Sequence, residues 1–127
     1  MTTLKVGIAD YDEMKARTMR IAKGEEKPAP GDPKVWFTST ESFAKVLSAG
    51  NRELLRVIAE KAPASLEELS EITGRALSNL SRTMKTMESY GLVRLEKEGR
   101  KLAPKVVHDR VELALPLLDR RVAKGGR

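Results

Sequence analysis

From Ser65 to Gly91 the chain reads SLEELSEITGRALSNLSRTMKTMESYG, two helical periods separated by one glycine and closed by another. In the first, Leu66, Leu69 and Ile72 recur at the spacing that lines one side of a helix. Ser65 with Glu68 has the form of a capping box, and Gly74 ends the segment. In the second, over residues 75–90, Leu77, Leu80, Met84 and Met87 share a side, Tyr90 extends the row and Gly91 stops it. Behind it, LVRLEKEGRKLAP alternates at Val93 and Leu95 around the tip EKEGRK, the mark of a β-hairpin. Ahead of it, Thr38 or Ser39 can cap a helix carrying Phe43, Val46 and Leu47 that ends at Gly50. Asn51 can cap the next, carrying Leu54, Leu55, Val57 and Ile58 and closed by Pro63.

The order helix, short helix, glycine turn, helix, hairpin predicts an α+β fold of the winged helix-turn-helix kind over residues 34–118, with 94–101 as the wing. Upstream, Leu4, Val6 and Ile8 alternate as a short strand, and Asp10 with Glu13 opens a helix through Met14, Thr18 and Ile21 to Gly24. The segment GEEKPAPGDP is rich in Pro, Gly and charge and reads as a linker, which makes residues 1–33 an N-terminal arm. VWFTS is a short extended piece, and Val111, Leu113 and Leu115 alternate as a last strand. Residues 119–127 form a basic, glycine-containing tail expected to be disordered. The two terminal strands would leave exposed edges alone, so they are expected to pair, within or between chains, and to build a homodimer suited to a palindromic site.

The second side of the 75–90 helix lacks the usual Glu/Lys mixture of a solvated face. It carries Arg75, Ser78, Arg82 and Lys85, flanked by Asn79, Thr86 and Ser89, with no acid before Glu88. These groups donate to phosphate oxygens or base edges. Arg75, near the positive end of the helix dipole, suits an anion placed there. The hairpin tip adds Lys97, Arg100 and Lys101. The chain's net charge of +6 is concentrated here: residues 75–105 hold eight Lys and Arg against three acids, whereas residues 51–74 hold three against five. A local surplus of this kind reads as the footprint of a polyanion. The expected partner is double-stranded DNA.

The segment LSAGNRELLRVIAEKAPASLEELSEITGRALSNLSRTMKTMESYGLVRLEKEGRK, about residues 47–101, resembles the core of MarR/ArsR-type winged-helix transcriptional regulators. The motifs that carry the likeness are LEELSEITG, SNLSRTMKTMESYGLV and RLEKEGRK. With KVWFTS before it and PKVVHDRVELAL after, the whole chain resembles a prokaryotic group of small MarR-like DNA-binding proteins, some of which look like antitoxins encoded beside a toxin. The resemblance implies DNA reading through Ser78, Asn79, Ser81, Arg82 and Lys85, and backbone contact by Arg100 and Lys101. The chain departs from the pattern at GRALSN, where Ala76 and Leu77 leave fewer polar groups at the helix start.

The expected function is therefore a homodimeric, sequence-specific DNA-binding regulator, in the simplest case a repressor. The alternative is an antitoxin that neutralises a protein partner through its arm or last strand and regulates its own operon. Enzyme chemistry has little support. The acids Asp10, Asp12 and Glu13 suit a helix start, and no catalytic grouping or phosphate-cradling glycine loop is present. No cofactor or metal is expected: the chain has no Cys, and its single His, His108, falls in a strand-like stretch. The missing Cys fits the cytoplasm, and no apolar run is long enough to span a membrane.

Overall fold

The computed structural model describes residues 2–118; the expected tail lies outside them. The chain runs β1 (Thr2–Ile8), α1 (Tyr11–Ala22), β2 (Val35–Phe37), α2 (Thr40–Val46), α3 (Ala49–Lys61), α4 (Leu66–Thr73), α5 (Leu77–Ser89), β3 (Val93–Glu98), β4 (Lys101–Val106) and β5 (His108–Ala114). It is an α+β protein. Strands β2, β1 and β5 form an all-parallel sheet in that order, with β1 central, and β3 and β4 form a separate antiparallel hairpin. The terminal strands therefore do pair, and they do so within the chain: Leu4 lies beside Val111 and Val6 beside Leu113. Thr2 and His108 fasten the start of this ladder, with the hydroxyl 2.8 Å from the imidazole Nδ1.

The first 33 residues are not a detached arm. Leu4 and Val6 join Phe37, Leu54, Ile58, Leu66, Leu69, Leu80, Met84, Met87, Leu92 and Val93 in one core. The stretch read as a linker is likewise fastened. Arg17 on α1 pairs with Glu26 (3.2 Å) and Asp32 (3.1 Å), and its guanidinium stands over the Trp36 ring at 5.5 Å. That indole lies across Gly7, where a Cβ would come within 2.5 Å of it. Pro, Gly and charge in GEEKPAPGDP exclude regular structure; they do not exclude tethering by ion pairs.

Several helix boundaries differ from the sequence expectation. Asp10 and Glu13 form the full reciprocal capping box of α1, and Ser39 caps α2. The cap of α3 is Ser48, whose hydroxyl accepts from the Asn51 N–H, so Gly50 sits in the first turn of α3 rather than ending α2. Asn51 does a different job: its amide donates to the Val46 carbonyl at the end of α2. At α4, Ser65 accepts from the Glu68 N–H as expected, but Glu68 reaches back to the N–H of Ala64, one residue short of a reciprocal box. Two residues assigned to the core, Ile72 and Leu77, are each 42 % exposed. They flank the turn between α4 and α5, and the apolar stripe of α5 is covered only from Leu80 onward.

Candidate nucleic-acid interface

Helix α5 is held from three sides. Leu80, Met84 and Met87 are fully buried. Tyr90, at its C-terminal end, stacks on Phe37 of β2 (4.1 Å between centroids, 14° between planes), and Phe43 of α2 meets the same ring edge-on at 5.2 Å. Glu88, the one acid near the polar face, turns toward the hairpin, where its carboxylate accepts from the Leu95 N–H at 3.3 Å. The turn before α5 is equally fixed. Gly74 ends α4 at φ +76°, the Ser70 hydroxyl donates to the Arg75 carbonyl at 2.6 Å, and the Arg75 N–H donates to the Thr73 hydroxyl. The hairpin turns tightly at Gly99–Arg100, with Gly99 at φ +68° and Arg100 on the ordinary side, the pattern of a type II′ turn.

With its apolar side committed, α5 exposes Ser78, Asn79, Arg82, Lys85, Thr86 and Ser89, while Ser81 is half-buried. Lys97, Arg100 and Lys101 are exposed at the hairpin tip. The hydroxyls of Thr86 and Ser89 donate to the Arg82 and Thr86 carbonyls of their own helix, so each turns an acceptor outward unless it rotates. Arg75 departs from the expectation. The helix begins at Leu77, and Arg75 lies in the preceding turn with its guanidinium folded back onto α3, donating to Asn51 Oδ1 (3.2 Å) and the Gly50 carbonyl (3.0 Å). Its charge tethers the turn and is not presented to an anion.

The arginines sort into two groups. The described residues contain nine. Arg17, Arg20, Arg56, Arg94 and Arg110 pair with carboxylates, and Arg52 and Arg75 donate to carbonyls. On α3, Arg56 bonds to both Glu53 and Glu60; its guanidinium holds the Glu53 carboxyl below its ordinary value and is itself raised. Among the described residues, Arg82 and Arg100 alone of the nine have no such partner, and they sit mid-face on α5 and at the hairpin turn. Sequence reasoning selected both positions but could not separate them from Arg75, because the contact that consumes Arg75 joins residues 24 or more apart.

The start of α5 also stands apart. Helices α1 to α4 each have an Asp or Ser side chain capping the first turn, whereas α5 begins after Ala76 with no side-chain cap. Among the described residues, the N–H groups of its first turn therefore have no capping side chain to accept from them. Among the described residues, no three His, Asp or Glu side chains are grouped to hold a metal, and no helix is long and apolar enough to cross a membrane.

No curated protein and no solved structure matches the chain. Residues 46–113, more than half of its length, match a family model, running from the end of α2 through α5 and the hairpin to the penultimate residue of β5. On that match the chain belongs to the family HVO_A0114.

Proposed function

We propose that α3 to β4 act as a winged helix-turn-helix and that the protein binds double-stranded DNA as a transcriptional regulator, related in design to the MarR/ArsR-type proteins it resembles. Helix α5 enters the major groove and the β3–β4 hairpin rests against the sugar-phosphate backbone. The observation that carries this reading is the pair of unpartnered arginines, Arg82 on α5 and Arg100 at the hairpin turn, in a molecule that satisfies its other described arginines internally. A guanidinium free of intramolecular contacts keeps its planar fork for a guanine edge or a phosphate. Ser78, Asn79 and Lys85 supply further groups on the same face, and Ser81 and Thr86 border it. The uncapped N–H groups of α5 suit a phosphate, and Lys97 and Lys101 add backbone charge. Bound over a promoter, such a protein represses by occupancy. The antitoxin alternative would act through the arm or through the last strand: the arm supplies the central strand β1 and is not free to fold on a partner, whereas the last strand, β5, lies at the sheet edge.

Selection of sites from random duplexes, followed by titration of the enriched duplex at several salt concentrations, tests the proposal. Arg82→Ala should keep the melting temperature, since exposed helix positions accept Ala, and should cost about 1–3 kcal/mol on the selected duplex alone. Arg100→Ala should weaken selected and random duplexes alike and lower the salt slope by about one. If no sequence is enriched, or if folded Arg82→Ala binds as wild type does, the face is merely solvated.

A further inference from the structure

Among the described residues, strand β5 (His108–Ala114) has one ladder partner, β1, and its other edge is open; the ladder to β1 is bulged at Asp109 and regular from Arg110 to Ala114. An open edge of that length is a liability, and proteins usually blunt one with charges that repel a second copy. Here the charges do the opposite. Arg110 and Glu112 flank Val111, their side chains 67 % and 53 % exposed and only loosely paired at 3.8 Å. Both stand on the face away from the helices, because their neighbours Val111 and Leu113 lie beside the core residues Leu4 and Val6.

Consider two β5 strands meeting antiparallel about a two-fold axis perpendicular to the sheet. The axis must pass through a residue, because it leaves each side chain on its own face. An axis at residue 110 sets Arg110 against itself, and one at residue 112 sets Glu112 against itself. An axis at Val111 sets each Arg110 opposite the other chain's Glu112, giving two reciprocal ion pairs and no like-charge contact. The same register lays the other chain's Leu113, exposed in the single chain, near Asp109, the bulged residue that has no partner in β1, and on the helix side of the sheet. A groove of about 910 Å³ runs there between β5 and the helices α2 and α3, with Phe43, Leu47, Leu55, Val106 and Val111 among its walls.

We propose that the β5 edge is a homodimer interface in which a second copy of this chain pairs antiparallel about Val111, joining two three-stranded sheets into one of six and covering the apolar groove. The interface is independent of the DNA reading: it uses no residue of α5 or of the hairpin tip. A two-fold there also gives the molecule the symmetry of a palindrome.

Sedimentation equilibrium of the full chain at micromolar concentration, without DNA, should give twice the 14.1 kDa chain mass. Arg110→Glu and Glu112→Arg should each raise the dimer dissociation constant about ten- to hundredfold, because both reciprocal pairs become like-charged. An equimolar mixture of the two variants should recover wild-type affinity as a heterodimer, since each then supplies what the other lacks. Circular dichroism melts matching wild type establish that the variants are folded. As the chain has no cysteine, Val111→Cys tests the register separately. It should cross-link on oxidation, because facing residues of an antiparallel pair lie within disulfide reach, whereas Arg110→Cys and Glu112→Cys alone should not. A monomeric wild type, single variants that associate as wild type does, or a mixture that stays monomeric would each overturn the proposal.

Discussion

Arg75 illustrates how one side chain's role depends on contacts distant in sequence. By composition it belongs with Arg82 and Lys85, and its place before the helix invites an anion. Its guanidinium instead bridges Asn51 and the Gly50 carbonyl, while its own backbone is bonded to Ser70 and Thr73. Those contacts clamp the α4–α5 turn to the first turn of α3 and so help aim α5. One half-buried and one exposed hydrogen bond from a charged donor contribute about 1–2 kcal/mol together. Arg75→Ala is therefore expected to lower stability by that amount in urea unfolding. DNA affinity, measured well below the melting temperature, should fall less than for Arg82→Ala. A variant with an unchanged urea midpoint and lost affinity would return Arg75 to the interface.

At the scale of elements, two left-handed residues end helices in opposite circumstances. Gly74 closes α4 at φ +76° with open space around its Cβ position, so Gly74→Ala meets only the backbone cost of that conformation. Ala62 closes α3 at φ +45° and bears that cost already. The left-handed region costs an L-residue about 1–2 kcal/mol, and glycine's freer unfolded chain offsets about 0.4–1 of it. Gly74→Ala should thus lower stability by about 1 kcal/mol and Ala62→Gly should raise it by about half that or more, both visible as melting shifts of a few degrees. Equal signs for the two would mean that local packing, not backbone conformation, governs these ends. These stops also show what the sequence makes readable. Gly74, Gly91 and Asp10 with Glu13 act within one turn and are legible in the sequence; for the cap of α2 the sequence leaves Thr38 and Ser39 open, and the structure resolves the choice to Ser39. Ser48 was missed as a cap because Gly50 and Asn51, two and three residues on, looked like a stop and a start. The arrangement that resolves them, Asn51 reaching back to Val46, requires α2 and α3 to be already in place.

The whole molecule differs most from its sequence pattern at the N-terminus. Alternation in Leu4–Ile8 and in Val111–Leu115 identified two strands, and exposed edges argued that they should pair. Nothing local could say that they lie parallel in one chain with β2 on the other side, since β1 pairs with residues 29 positions on in β2, as Val6 with Val35, and more than a hundred on in β5, as Leu4 with Val111. A proline-rich stretch between them suggested a boundary, yet Arg17 fastens that stretch and Trp36 packs on Gly7. The face of α5 was legible because it is a property of one helix, and the winged arrangement was suggested by order alone. The consequence is testable by truncation. If residues 1–33 were an arm, residues 34–127 would fold without them. Removing them takes away the central strand, exposes both neighbours of β1 and strips Leu4 and Val6 from the core. Burying each such side chain is worth about 1.5–3 kcal/mol, and the sheet's hydrogen bonds go with them, against a total stability of about 5–15 kcal/mol for a domain. The loss is comparable to the whole. The 34–127 fragment should therefore show no cooperative thermal transition and should bind a hydrophobic dye, while its α5 sequence remains intact. A fragment that melts cooperatively within a few degrees of the full chain, and still shifts the selected duplex, would establish the arm as dispensable and reduce β1 to an accessory of β5.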